Sequence, residues 1–231
     1  MGKSIIITQS NYIPWKAYFD NIARVDKFVV FDSVQYTKRD WRNRNKIKTQ
    51  SGTKWLTIPV EVKGKFYQPI KDTKIADKNW PIKHWDTLKS HYSNCQHFRK
   101  NEEWVKDLYK SCNFNYLGEI NLHFIRGIMN FLGIKTEIIL DSEFDLAYEK
   151  TDRLINICKK LRAKTYYTGL AAKNYIEEEK FYNENIQLKY FDINGYREYS
   201  QLHPPFIHEV TILDLIFNEG KNSHNFLKNL S

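Results

Sequence analysis

The chain is 231 residues long, with 42% hydrophobic and 15% aromatic residues and a formal net charge of +9. That length fits one large domain, and no stretch approaches the ~18 unbroken apolar residues that a membrane span needs. Cys95, Cys112 and Cys158 are widely spaced with no CxxC pair, which excludes a disulfide framework and a cysteine-built zinc site and points to a reducing, cytoplasmic setting.

The opening MGKSIIITQSN reads as a first strand over 4–7. Its apolar run is too short for a signal peptide, and Ile6 stands where a myristoylation signal carries Ser or Thr. Pro14 suits a first helical turn, and Trp15, Tyr18, Phe19 and Ile22 then share one apolar face. KFVVFD (27–32) is a second strand. This βαβ unit, with its right-handed crossover, predicts a parallel sheet. KWLTIPVEV (54–62) reads as a strand kept off the sheet centre by Pro59. Three aromatic-rich helices are predicted over 83–92, 102–112 and 118–132, the last closed by Gly133.

Alternation then resumes. Strands are expected at 135–140, 165–169 and 186–191, with helices at 151–161 (Thr151 as cap) and 171–185. A C-terminal helix is stopped by Gly220. The expectation is an α/β domain spanning 1–231, with a mostly parallel, doubly wound, Rossmann-like sheet and a helical insertion at 80–133. Ligands in that architecture sit beyond the carboxyl ends of the strands.

TQSNYIPW (8–15) is such an end. It reads either as a packed turn, with Tyr12 and Trp15 as core, or as a site floor offering the amides of Gln9 and Asn11; it has no glycine-rich phosphate motif. The charge is uneven: residues 1–100 hold 20 Lys/Arg against 8 Asp/Glu, and residues 101–231 hold 16 against 19. An anionic partner for the first part follows. Six cations lie between Lys38 and Lys48 with Asp40 the one acid among them. Arg39, Arg42 and Arg44 could grip phosphate, and Trp41 or Tyr36 could stack on a base; a solvated basic loop or edge strand is the plain alternative.

His84 and His91 share a helical face, but Asp86 is the one carboxylate near them at ligand spacing, so no metal is expected. A single histidine as general base fits better, against the plain alternative that a lone histidine on an aromatic helix is structural. TYYTGLAAKNY (165–175) forms a second carboxyl-end loop, where Gly169 permits close backbone approach and Lys173 and Tyr175 could reach a cleft; an ordinary βα turn is the equal alternative. Gln201 and His203 sit on a proline-stiffened loop. No GxSxG or HExxH motif and no Cys–His spacing is present.

QSNYIPWKAYFDNIARVDKFVVFDSVQYTKRDWRNRNKIK, KWLTIPV, KHWDTLKSHY, TDRLINICKKLRAKTYYTGLAAKNYI and YSQLHPPFIHEVTILDLIFNEG, in that order, resemble the WbqC-like family. Gln9, Asn11, Tyr12, Pro14 and Trp15 match its opening pattern, as do Asp32, Gln35, Tyr36, Arg39, Asn43 and Arg44. Thr8 and Ser10 depart from it, standing where the family has His and Pro. The resemblance implies a bacterial enzyme tied to O-antigen and related surface polysaccharide, transferring glycine or another acyl group to an amino sugar.

On this reading Arg39, Arg42 and Arg44, with Lys38 beside them, hold the diphosphate of a nucleotide-linked or lipid-linked amino sugar. Gln9 and Asn11 orient the acyl oxygen, and His84, with His203 in reserve, frees the amine. The acyl donor would be a coenzyme A or carrier-protein thioester, or an aminoacyl-tRNA. Two alternatives stay open: an ATP-dependent amide-forming, nucleotidylyltransferase-like enzyme, and a non-catalytic RNA- or carrier-binding module.

Overall fold

Ile5, Ile6 and Ile7 point alternately to the two sides of β1 (Lys3–Thr8), and that alternation sets the layering. In the computed structural model, which describes residues 2–144 and 150–230, Ile6 joins Phe28 and Val30 in one buried cluster. Ile5, Ile7 and Val29 join another. β1 is the middle strand of a five-stranded parallel sheet, flanked by β2 (Lys27–Val30) and β6 (Ala163–Thr168). Outside these lie β5 (Glu137–Leu140), paired with β2, and β7 (Gln187–Tyr190), paired with β6. In order of appearance the strands run 3-2-1-4-5 across the sheet. The winding therefore reverses between β1 and β6, whose carboxyl ends part to leave a crevice.

The first cluster buries α1 (Lys16–Ala23), α4 (Leu117–Leu132) and α7 (Ile212–Glu219), together with α2 (Trp80–Tyr92) and α3 (Phe98–Lys110). α5 (Lys150–Lys160) and α6 (Glu178–Asn183) cover the opposite face. The fold is thus the doubly wound α/β class, with α2 and α3 carried between β2 and β5.

The structure differs from the sequence reading in several elements, each for a local reason. Within the basic stretch, where an edge strand is the alternative, β3 (Arg44–Thr49) forms and pairs antiparallel with β4 (Gly52–Thr57) in a sheet apart from the main one. Ile58 N–H still reaches the Asn43 carbonyl at 2.8 Å, but Pro59 has no N–H to continue, so the strand expected over 54–62 stops at Thr57. α1 begins at Lys16 rather than Pro14, because Ile13 turns through φ +35°. The Asn45 amide holds that turn by donating to the carbonyls of Tyr12 (3.1 Å) and Ile13 (2.9 Å).

α3 starts four residues early, at Phe98, whose ring packs on Phe217. The helix expected over 171–185 is a 3₁₀ turn (Leu170–Asn174) followed by α6, broken where Ile176 is buried. Thr151 lies inside α5 and accepts a hydrogen bond from Glu177 N–H at 3.2 Å instead of capping the helix. Gly133 and Gly220 end α4 and α7 as expected, with φ of 75° and 57° that glycine adopts at least cost.

Candidate active site

Leaving the sheet, β1 and β2 are tied together by side chains. Ser10 donates its N–H to Asp32 Oδ1 at 2.8 Å and its hydroxyl to Asp32 Oδ2 at 2.6 Å. One strand over, Ser33 donates both groups to Asp141 at 3.0 Å. The two carboxylates are buried, and the serine donors compensate that burial. Burial still pushes Asp32 up to about 6, against the pull of its Ser10 bonds. Asn121 of α4 donates to the Ser10 hydroxyl and to the Arg42 carbonyl, 2.9 Å each. The β1–α1 loop and the cationic segment are thereby locked to one another, and Tyr12 N–H adds a bond to the Trp41 carbonyl at 3.1 Å.

Two hollows lie on either side of this junction. The larger, about 700 Å³, occupies the crevice between the carboxyl ends of β1 and β6. Thr8 and Gln9 line it from β1, Phe31 and Val34 from beyond β2, and Tyr166, Thr168, Gly169 and Tyr175 from β6 and its loop. Arg42, Lys150 and Arg153 supply three cations, and its described lining holds no Asp, Glu, His or Cys. Arg153 also lies over the Phe31 ring, 6.0 Å from its centroid. A cationic cavity with a backbone crevice and phenol and hydroxyl groups can take an anionic ligand, a phosphate or pyrophosphate above all.

The smaller hollow, about 210 Å³, is lined by Asn11, Pro14, Trp15, Trp41, Asn45, Ile193 and Glu209. Arg42 spans the two by donating from Nη1 to Asn11 Oδ1; its Nη2 lies 3.5 Å from Asp40, and its Nε has no acceptor among the described residues. Indole faces beside amides and a carboxylate suit a sugar ring or an amine.

The structure brings Gln9, Arg42, Gly169 and Tyr175 into the larger hollow and Asn11, Trp15 and Trp41 into the smaller one. Other expected site residues lie elsewhere. His84 packs against the Tyr12 and Trp80 rings of the core; its Nε2–H faces the Thr57 carbonyl at 3.2 Å, so Nδ1 accepts from the Tyr12 hydroxyl at 2.9 Å, which in turn accepts from Tyr109 at 2.7 Å. Burial pushes its pKa down to about 4. Both ring nitrogens are used and neither hollow touches them, so the place expected for a general base holds a structural imidazole, and Tyr12 is core with it.

Asp32 and Asn43 are likewise internal braces, the latter donating to the Ile58 carbonyl at 2.9 Å. Gln35 donates to the Phe66 carbonyl at 2.9 Å, and Tyr36 is buried. Lys38 and Arg39 are exposed. Arg44 donates to the Arg39 carbonyl and stacks 4.0 Å from the Trp55 centroid. Lys173 sits over Tyr190 at 4.8 Å. Gln201 cross-links its own loop through Ile207 N–H and carbonyl, at 2.8 and 2.9 Å, and donates to Asp214. His203 lies in that loop beside Pro205, whose carbonyl accepts from Lys48, and lines neither hollow.

Lys150, Arg153, Thr168 and Glu209 are lining residues the sequence reading did not single out. Lys150 and Arg153 are three apart in the first turn of the helix after β5, a carboxyl-end position once the strand order is known.

The profile of the WbqC-like protein family matches residues 9–226, from Gln9 at the floor of the larger hollow to Phe226 beyond α7. The chain belongs to that family. An uncharacterised protein of Mycobacterium tuberculosis (strain ATCC 25618 / H37Rv), Rv1507c, is 42% identical over 226 residues, covering 98% of each chain. No solved structure matches the chain. Among the described residues no helix is long and apolar enough to cross a membrane.

Proposed function

We propose that this member of the WbqC-like family is an N-acyltransferase, of the aminoacyl kind or a relative of it, acting on an amino sugar carried by a nucleotide or a lipid diphosphate in surface-polysaccharide assembly. One observation carries the reading: Arg42 and Asn11 join a tri-cationic crevice to an indole-lined hollow bearing a carboxylate. The diphosphate lies on Arg42, Lys150 and Arg153. The sugar ring lies against Trp15 and Trp41, with its amine toward Glu209. The amine nitrogen attacks the acyl carbon, the carbon–sulfur or carbon–oxygen bond to the donor breaks, and the proton shed by the amine leaves with the departing thiolate or alkoxide. On this reading the Gln9 amide and the Arg42 guanidinium serve as donors to the oxygen that gains charge.

Thermal-shift screening against UDP- and dTDP-linked amino sugars, coenzyme A thioesters and ATP tests this, because a ligand bound by the native state raises its melting temperature. The expected result is a rise with the diphosphate sugars; no rise with any of them removes the reading. Release of AMP during amide formation would instead favour the ATP-dependent reaction. Glu209→Gln is expected to raise KM for the amino sugar about tenfold while leaving pyrophosphate affinity unchanged, since it discharges only the group facing the amine. An equal loss for both ligands would place Glu209 outside that role.

A further inference from the structure

The cations of the first part of the chain are mostly not in the crevice. Residues 38–67 carry nine Lys/Arg against two Asp/Glu, in a protein whose net charge is +9. Arg42 and Lys48 turn inward, while Lys38, Arg39, Lys54, Lys63 and Lys65 are exposed, with Lys65 paired to Glu61. Four large aromatics are exposed in the same segment: Trp41 (38%), Trp55 (39%), Phe66 (66%) and Tyr67 (83%). They are not scattered. Phe66 is bonded through its carbonyl to Gln35, Gln68 through its carbonyl to Tyr36, and Arg39 through its carbonyl to Arg44, which lies on Trp55 beside Trp41. These contacts, joined by the short chain from Gln35 to Arg39, tie the 63–67 turn to Trp41, at the lip of the smaller hollow.

We propose that this surface docks the protein on an anionic lipid bilayer, with Phe66 and Tyr67 entering the headgroup layer and the surrounding lysines meeting lipid phosphates. Aromatic side chains at the tip of a turn flanked by lysines are the chemistry of interfacial attachment, and the charge excess complements an acidic leaflet. The ring geometry favours lipid over RNA. Trp41 and Trp55 are packed on each other with centroids 5.2 Å apart, leaving no slot for a base, and Arg44 already covers Trp55. Phe66 and Tyr67 meet edge to face at 4.9 Å, so the two rings do not form one common platform for successive bases. Docking stands apart from the reaction proposed above; if both hold, the lip of the smaller hollow faces the membrane and a lipid-linked acceptor is preferred.

The test is co-sedimentation of the full chain with vesicles of equal parts phosphatidylcholine and phosphatidylglycerol, with phosphatidylcholine vesicles and a single-stranded RNA oligonucleotide as further arms. Expected is binding to the acidic vesicles that falls as salt rises from about 50 to 300 mM, and an affinity about tenfold weaker in Phe66→Ser/Tyr67→Ser. Both side chains are exposed, so the double variant is expected to keep the wild-type melting temperature, and its transfer activity on a soluble nucleotide-linked acceptor to be unchanged. No sedimentation with acidic vesicles, undiminished sedimentation of the double variant, or binding to RNA without binding to vesicles would each overturn the proposal.

Discussion

Replacing Arg42 with alanine is expected to weaken binding of inorganic pyrophosphate about 100-fold, read by isothermal titration. Arg42 lines the larger hollow while its guanidinium is fixed by Asn11 and Asp40, so the group is positioned before a ligand arrives. Little ordering cost is left to binding. A charge-assisted contact of this kind is worth about 3 kcal/mol, which gives the expected factor. Arg42→Lys restores the charge without the planar fork and should recover part of the loss. Arg153→Ala is expected to act in the same direction from the opposite wall. Lys173→Ala serves as the control, because that lysine sits on Tyr190 and lines neither hollow. Pyrophosphate affinity unchanged in Arg42→Ala would take the crevice out of ligand binding altogether.

The unequal legibility of this site in the sequence has physical causes. β1 and β2 are readable because a strand buried on both faces must be nearly continuous in apolar or aromatic residues, as IIIT and KFVV are. β3 hides because its inward face is Asn45, Ile47 and Thr49. Those polar groups are tolerated there because partners from distant segments satisfy them: Asn45 bonds to the carbonyls of Tyr12 and Ile13. Topology alone placed Gln9 and Gly169 at the mouth of the sheet, since their loops leave the two strands that flank the switch point.

Lys150 and Arg153 gave no such signal, because a cation in the first turn of an amphipathic helix looks the same whether it faces solvent or a crevice. His84 misled for the opposite reason. An imidazole with a near-neutral intrinsic pKa invites a catalytic reading, and only its distant partner Tyr12 and the carbonyl of Thr57 reveal that both nitrogens are already used.

That structural assignment has a measurable consequence, with Asp32 as its counterpart of opposite sign. Burial lowers the folded His84 from 6.5 to about 4, so the native state resists a proton that the unfolded chain accepts. Its contribution is therefore full above pH 6.5 and lost as the pH falls toward 4, a change of about 3 kcal/mol. Burial raises the folded Asp32 from 3.8 to about 6, so the native state favours the neutral acid. Its contribution is present below pH 3.8 and lost as the pH rises through 6, again about 3 kcal/mol.

Urea unfolding of wild type, His84→Phe and Asp32→Asn between pH 4 and 7 separates the two. Relative to wild type, His84→Phe is expected to gain ground as the solution is acidified, because it has no imidazole to protonate. Asp32→Asn should gain ground as the solution is made neutral, because it has no carboxyl to ionise and the Ser10 hydroxyl can turn to accept from the new amide. The two difference curves slope in opposite directions across the same interval. A flat curve for His84→Phe would mean that the imidazole titrates as freely as in the unfolded chain, which no ring sealed between Tyr12 and Thr57 can do, and would return His84 to the reacting groups.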